Sequence, residues 1–358
     1  MKEVCNMVDW SKSMQQTFEY YVVDPGTWKD VSKVNDVKSC TISWNADSDT
    51  LGSATIDIDG SLEECYIRVY LVTIQNGVKE RHPLGTFMVQ TPSTSFDGKV
   101  QSVTMDAYTP LIELKEKCPP YGYSILKNTN IMDVAYRLTA ENLRAPVVKT
   151  ITTDTLYTDF VSEPDDTWIT FLKDLLANAK YSFGLDELGR VLFTPNQDTA
   201  ALQPLMTFDD SNSSILYPDI SMDHDLYGLP NVVEVIYSNG TEHYQSRVVN
   251  NDENSPISTI NRGREIIYRD TNPRISGQPT KEQIDAYAKR LLKALSSIEY
   301  TITFKHGYCG VRLGDCIRLN YARAGINNVK AKIISQSIKC EPGCSVKEKA
   351  VFTTRLWG

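Results

Sequence analysis

At 358 residues the chain is too long for one ordinary hydrophobic core and suits two or three domains. Its 41% hydrophobic and 23% charged residues lie near the globular average, which excludes disorder as the main state. A formal net charge of −8 and a pI of about 5.2 exclude a surface built mainly to grip nucleic-acid phosphates.

No segment reaches the roughly 18 to 20 apolar residues needed for a membrane-spanning helix. Met1 to Trp10 lacks the apolar run of a secretory signal, so synthesis in a cytosol with reduced thiols is expected. Eight cysteines are too few for a disulfide scaffold in a chain of this size.

Residues 1–118 read as strands. Ile42 and Trp44 share a face, as do Ala54, Ile56 and Ile58, and Val103, Met105 and Ala107 alternate with Thr104 and Asp106. Tyr66–Ile74 is a longer β-branched and aromatic run. Turn signals stand at Pro25-Gly26, Asn76-Gly77 and Asp97-Gly98, and Asn76-Gly77 predicts a two-residue hairpin turn. No helix of useful length fits before Pro119-Pro120, so a barrel or sandwich is expected.

Residues 119–205 change period. Asn128, Thr129 and Asn130 offer caps for a helix carrying Ile131, Val134, Ala135 and Leu138 on one stripe. A second helix is expected to start near Pro164, with Asp165 and Asp166 against its positive end. Its stripe is Trp168, Phe171, Leu172, Leu175, Leu176 and Ala179. A hairpin over Tyr181–Leu185 and Arg190–Thr194 completes a small α/β insert.

Residues 206–358 return to strands around one helix. Val232–Tyr237 and Tyr244–Val249 flank a turn at Ser238-Asn239-Gly240. Thr280 and Gln283 form a capping box for a helix over about 280–297, with Ile284, Tyr287, Ala288, Leu291, Leu292 and Leu295 on one stripe. Strand periods follow over Ile298–Phe304, Asp315–Tyr321, Val329–Ile338 and Lys347–Arg355. The expected fold class is mainly β with an α+β insert: a first β-barrel domain, a small α/β domain, and a second β-barrel domain with the packed helix.

Catalytic signatures are sparse. His82, His224, His243 and His306 are scattered, with no metal-binding helix, nucleophile elbow or phosphate-binding glycine loop nearby. Asn45, Asp47 and Asp49 resemble the start of a calcium loop, but Thr50 and Ile56 stand where glycine and glutamate are required. Asp57 and Asp59 fall on the solvent face of their strand. No catalytic residue and no cofactor site is assigned, and no enzymatic activity is expected.

Cys340-Glu-Pro-Gly-Cys344 places two cysteines at the ends of a turn, close enough for a disulfide. Cys309 and Cys316 flank another turn and could join Cys340 and Cys344 as a weak four-cysteine zinc candidate. Unpaired thiols packed in a β domain are the default reading. Sequons at Asn212 and Asn239 carry no meaning without secretion.

The order of elements in the last third is informative. Asn231-Val-Val-Glu-Val-Ile-Tyr237 precedes Val248-Val-Asn-Asn-Asp-Glu-Asn-Ser-Pro256 and the helix. Val311-Arg-Leu-Gly-Asp-Cys-Ile-Arg318 and Lys330-Ala-Lys-Ile-Ile-Ser-Gln-Ser-Ile338 follow. This order resembles the C-terminal half of phage tail hub proteins, found in phage baseplates, prophages and tailocins. The middle stretch resembles that family's α/β insert and the first stretch its first barrel.

The resemblance implies two tail-tube-like barrels per chain and a homotrimer forming a pseudo-six-fold collar in the virion tail. One face would meet the tail tube or distal tail protein and the other a trimeric spike or tip, with the tape measure protein a further candidate partner. DNA would pass through the bore without specific binding. Release by lysis would let Cys340 and Cys344 meet an oxidising medium. The chain ends at Gly358 without the lysozyme, peptidase or fibre domain of several relatives, so no cell-wall digestion or receptor binding is assigned to it. The alternatives are a β-rich glycan hydrolase using a carboxylate pair, or a receptor- or carbohydrate-binding tail module.

Overall fold

The computed structural model describes residues 8–60, 62–96, 98, 101–211, 214–238, 242–273 and 279–357. It divides into two compact units, Met1–Ile220 with Thr303–Ala350 and Ser221–Ile302 with Val351–Gly358. The fold is mainly β with a few short helices.

The first stretch supplies β1 (Gln15–Val23), β2 (Asp30–Val34), β3 (Val37–Asn45), β4 (Gly52–Asp59), β5 (Tyr66–Gln75), β6 (Val78–Phe96) and β7 (Gln101–Tyr108). All neighbours pair antiparallel, in the order β3-β4-β7-β6-β5-β1-β2. The alternation expected from the sequence is realised: Ile42, Ala54, Ile56, Ile58, Val103, Met105 and Ala107 are all buried in one core. Asn76 and Gly77 both take positive φ, 51° and 79°, and close the β5–β6 hairpin in the sense that suits the right-handed twist of its strands. Asp97, from the third turn signal, lies outside the described residues.

Strand β5 is buried on both faces from Tyr66 to Thr73. Ile67, Val69 and Leu71 face the core of the sheet. Tyr66 belongs instead to a second core, shared with the insert. That requirement for two buried faces explains the long unbroken run of β-branched and aromatic residues in the sequence.

Helix α1 (Ile112–Glu116) follows β7, and the insert contains β8 (Ser124–Ile125), α2 (Ile131–Asn142), β9 (Phe160–Val161), α3 (Trp168–Asn178), β10 (Tyr181–Leu185) and β11 (Val191–Pro195). Helix α1 corrects the expectation of strands alone before residue 118: five residues are too few to show a helical period, yet Leu114 is fully buried. Asn130 caps α2 as expected, its side chain accepting from the Asp133 N–H. Helix α3 begins at Trp168 rather than near Pro164. Thr167 and Thr170 form a reciprocal capping box there, and this outweighs proline's preference for a first turn. Phe171, Leu172, Leu175 and Leu176 are buried, each contributing about 1.5–3 kcal/mol on removal from water.

The remaining elements are β12 (Met206–Asp209), β13 (Leu216–His224), β14 (Val232–Ser238), β15 (His243–Val249), α4 (Thr259–Arg262) and β16 (Ile267–Asp270). After them come α5 (Lys281–Leu295), β17 (Ser297–Gly307), β18 (Cys316–Tyr321), β19 (Ile326–Lys339) and β20 (Ser345–Arg355). Strand β19 pairs antiparallel with β3, Ser335 opposite Asn45 and Lys339 opposite Thr41, so the early and late strands share one sheet. That sheet continues from β19 through β20 and β17 to β13, and β18 and β12 branch from β19.

In the second unit β14 pairs with β15 antiparallel and with β16 parallel. Helix α5 lies on this small sheet, burying Ile284, Ala288 and Leu292 against Val233 and Val235. Thr280 and Gln283 form the expected capping box. Glu234 ties the strands together through Arg247 and Arg269. Asn239 and Gly240, and both sequon asparagines, lie outside the described residues.

Candidate functional site

The insert meets the sheet through buried polar groups on one face of β5. Arg68, 4% exposed, donates to Asp30 at 2.8 Å, to Thr86 at 2.9 Å and to the Leu188 carbonyl at 3.1 Å. Trp28 adds an indole hydrogen bond to the same carbonyl at 2.7 Å. Gly189, at φ +74°, sits so close that a Cβ there would fall 2.7 Å from Thr86 Cβ. Two residues earlier on the same face of β5, Tyr66 donates to Glu113, which also accepts from Arg144 Nε at 2.6 Å. These contacts fix the tip of the β10–β11 hairpin against β5 and β6.

The docked hairpin forms one wall of a cavity of about 380 Å³. Phe183, Leu185 and Leu192 line one side, and Trp44, Leu84, Val311 and Ile338 the other. The polar groups at its edge are already engaged. Arg312 pairs with Glu187, its backbone N–H reaches Asp315 at 2.9 Å, and Asp186 holds Arg190 Nε at 2.5 Å. Burial pushes the Asp315 carboxyl above its usual range, against the pull of Arg312.

Beneath the Val311 loop lies a buried polar cluster. His306 and Glu348, 1% and 0% exposed, meet at 3.2 Å through Nε2 and Oε1. Gln336 Nε2 donates to Glu348 Oε1 and to the Val311 carbonyl, both at 2.8 Å. His306 Nδ1 lies 2.7 Å from the Gly307 carbonyl and 3.7 Å from Cys309 Sγ. Desolvation alone would lower the imidazole pKa, but Cys309 and Glu348 outweigh it and raise it to about 10. Nε2 faces the Glu348 carboxylate and Nδ1 the Gly307 carbonyl, so the protonated ring has an acceptor for an N–H on each nitrogen. Glu348 Oε2 has no hydrogen-bond partner among the described residues.

The strand phase carried a signal for this cluster that a motif search does not find. His306 continues the inward phase of Ile302 and Phe304, and Glu348 stands inward between Val346 and Ala350. A charged residue in an inward position is the mark of a buried partner.

The cysteines singled out by spacing fall in different settings. Cys309 lies beside His306, and Cys316 is opposite Lys332 on the β18–β19 pair. The Cys340 N–H donates to the Cys40 carbonyl at 2.9 Å, and Cys344 is buried with its carbonyl accepting from the Tyr308 N–H at 3.1 Å. All four are free thiols, and no three His, Cys, Asp or Glu side chains converge as a metal-ligand set among the described residues. The other histidines stand apart: His82 reaches Thr73 at 3.1 Å, His224 packs on Tyr300, and His243 is exposed in β15. Asp49 pairs with Lys173 and Lys115, and Asp57 accepts from Ser39 and from Thr104. Among the described residues no helix is long and apolar enough to cross a membrane.

No protein-family model matches the chain, and no curated protein matches it significantly in sequence. Solved structures do match. A tail protein from Neisseria meningitidis MC58 aligns with TM-score 0.62 and 13% identity over 94% of this chain and 96% of its own. The 43 kDa tail protein of prophage MuSo2 from Shewanella oneidensis aligns with TM-score 0.61 and 9% identity, covering 95% and 98%. The chain therefore shares the fold of these two tail proteins over about 95% of its length.

Proposed function

We propose that the chain is a structural component of a phage or phage-like tail tip, a hub that joins the tail tube to a spike. The observation that carries this reading is the fold match to two tail proteins over 94–95% of this chain and 96–98% of theirs. In this reading residues 1–118 and 206–358 each contribute a tube-like β-barrel and residues 119–205 form the small domain between them. Three such chains place six β domains around an axis and so present a trimer to a hexameric tube. One face stacks on the tube or distal tail protein, the other carries a trimeric spike, and the tape measure protein is a further contact.

The charge supports the same reading. Three copies at −8 carry 24 net negative charges, and an acidic bore repels DNA phosphates so that the genome slides through. Substituting bore-facing acids by their amides then slows DNA ejection; unchanged ejection kinetics would sink the charge argument.

Mass photometry of the purified chain tests the assembly, with a trimer expected near 121 kDa, three times 40.3 kDa. Antibody labelling of whole particles tests the location, with label expected at the junction of tube and tip. A chain that stays monomeric and cleaves a cell-wall glycan, or that is missing from particles, overturns the reading in favour of a hydrolase or a separate binding module.

A further inference from the structure

Cys40 ends up beside Cys340, although 300 residues separate them in the sequence. Strand β3 pairs with β19 up to Thr41 opposite Lys339, and the next main-chain link runs from the Cys340 N–H to the Cys40 carbonyl at 2.9 Å. Directly opposed residues of that kind in an antiparallel pair have Cα atoms about 5.5 Å apart, inside the range a disulfide spans. The two side chains are buried, 3% and 8% exposed, in the same core. Cys344 is also near, but it lies past the turn with φ +36°, and its own N–H is held by the Glu341 carbonyl.

We propose that Cys40 and Cys340 are a covalent modification site, forming a cross-strand disulfide that locks β3 to the end of β19 when the protein meets a low-molecular-weight disulfide. The inference is independent of the tail assignment. The chemistry is thiol–disulfide exchange with glutathione disulfide. One cysteine thiolate attacks it, forming a mixed disulfide and releasing one glutathione thiolate. The second cysteine gives up its proton and displaces the second glutathione. Two protein thiols and one glutathione disulfide become one protein disulfide and two glutathione thiols.

The Cys40 thiol beside it, then burial, hold the Cys340 thiol well above the usual thiol range, and burial lifts Cys344 to about 12. Both therefore stay protonated in the closed fold. Reaction waits on opening of the Glu341–Gly343 turn, so it runs slowly at neutral pH and faster at pH 9 or in mild urea. The bond would close a loop spanning most of the chain, where the loss of unfolded-state freedom is greatest.

The test uses the full-length protein, purified reduced and incubated with glutathione disulfide at pH 9 in sub-denaturing urea. Wild type should lose two of its eight free thiols, and peptide mapping should recover a fragment linking Cys40 to Cys340. Cys344→Ser should behave as wild type, whereas Cys40→Ser should lose the link while keeping the melting temperature of reduced wild type to within a few degrees. The oxidised protein should melt at least about 5 °C higher, reversibly on addition of dithiothreitol. A Cys340–Cys344 link in wild type, or no protein disulfide in Cys344→Ser, overturns the proposal.

Discussion

Arg68 donates from Nη2 to the main-chain carbonyl of Leu188 at 3.1 Å, so a cation buried in the middle of β5 holds the tip of a hairpin 120 residues further along. The same guanidinium neutralises Asp30 and bonds Thr86. Removing it leaves the Asp30 carboxylate without its cation, held only by the Tyr70 hydroxyl, and the Leu188 carbonyl with the Trp28 indole alone. Arg68→Ala should cost about 2–3 kcal/mol in urea unfolding, below the roughly 3–5 kcal/mol of a fully buried pair because Asp30 keeps some solvent and the Tyr70 hydroxyl. Arg68→Lys should recover little, because a single ammonium cannot reproduce the fork of donors. A loss below 1 kcal/mol in both variants would show that the insert is held by its apolar contacts alone.

Gly189 offers a cleaner probe of the same docking. Gly189→Ala must accept a left-handed backbone and a Cβ pressed on Thr86, whereas Gly122→Ala meets the same φ region, +70°, in open space. The backbone component is about 1–2 kcal/mol in each. The excess for Gly189 measures the close approach, and equal losses in the two variants would mean that the hairpin tip can back away freely.

The His306–Glu348 pair makes stability depend on pH in a defined direction. The imidazole pKa is about 10 in the folded chain against 6.5 for the free group. Below about 6.5 the group is charged in both states and its stabilisation is fully present. As pH rises past 6.5 the unfolded chain sheds the proton first, so the contribution declines and is lost by about pH 10. Urea midpoints at pH 6.5, 8 and 9.5 should fall in that order. Glu348→Gln should lower the midpoint most at pH 6.5 and flatten the trend, and an undiminished slope in that variant would assign it to other groups.

The capping box of α5 can be tested by itself. Thr280→Ala removes the acceptor for the Gln283 N–H and should cost about 1 kcal/mol, read as faster amide exchange in the first turn of α5. Thr280→Ser should restore protection, and unchanged exchange in the alanine variant would mean that packing of Ile284 and Ala288 alone sets the helix start.

Local features were legible in the sequence wherever a short period or a specific turn dictated them. Asn76-Gly77 declared a hairpin, and the stripes on α2, α3 and α5 declared their buried faces. The start of α3 was misplaced because Pro164 and the two acids after it form one signal and Thr167 with Thr170 another. The reciprocal capping box, with Trp168 buried directly after it, decides for the second. Helix α1 was too short to read. The buried groups were hidden for a different reason: Arg68, Glu113 and Glu348 look like surface residues until the strands or helices across from them supply partners. Of the candidate cysteines, the position of each strand gave the local turn, but nothing near Cys340 in sequence pointed to Cys40.

The pairing of β3 with β19 also sets a timetable for synthesis. Asn45 leaves the ribosome some 290 residues before its partner Ser335, an interval on the order of 15–60 s at about 5–20 residues per second. For that time one edge of the nascent sheet has its backbone groups open to any strand that reaches it first, including the same strand on a neighbouring nascent chain. Yield of assembled protein should therefore fall as expression is driven harder, and slower synthesis at lower temperature should restore it.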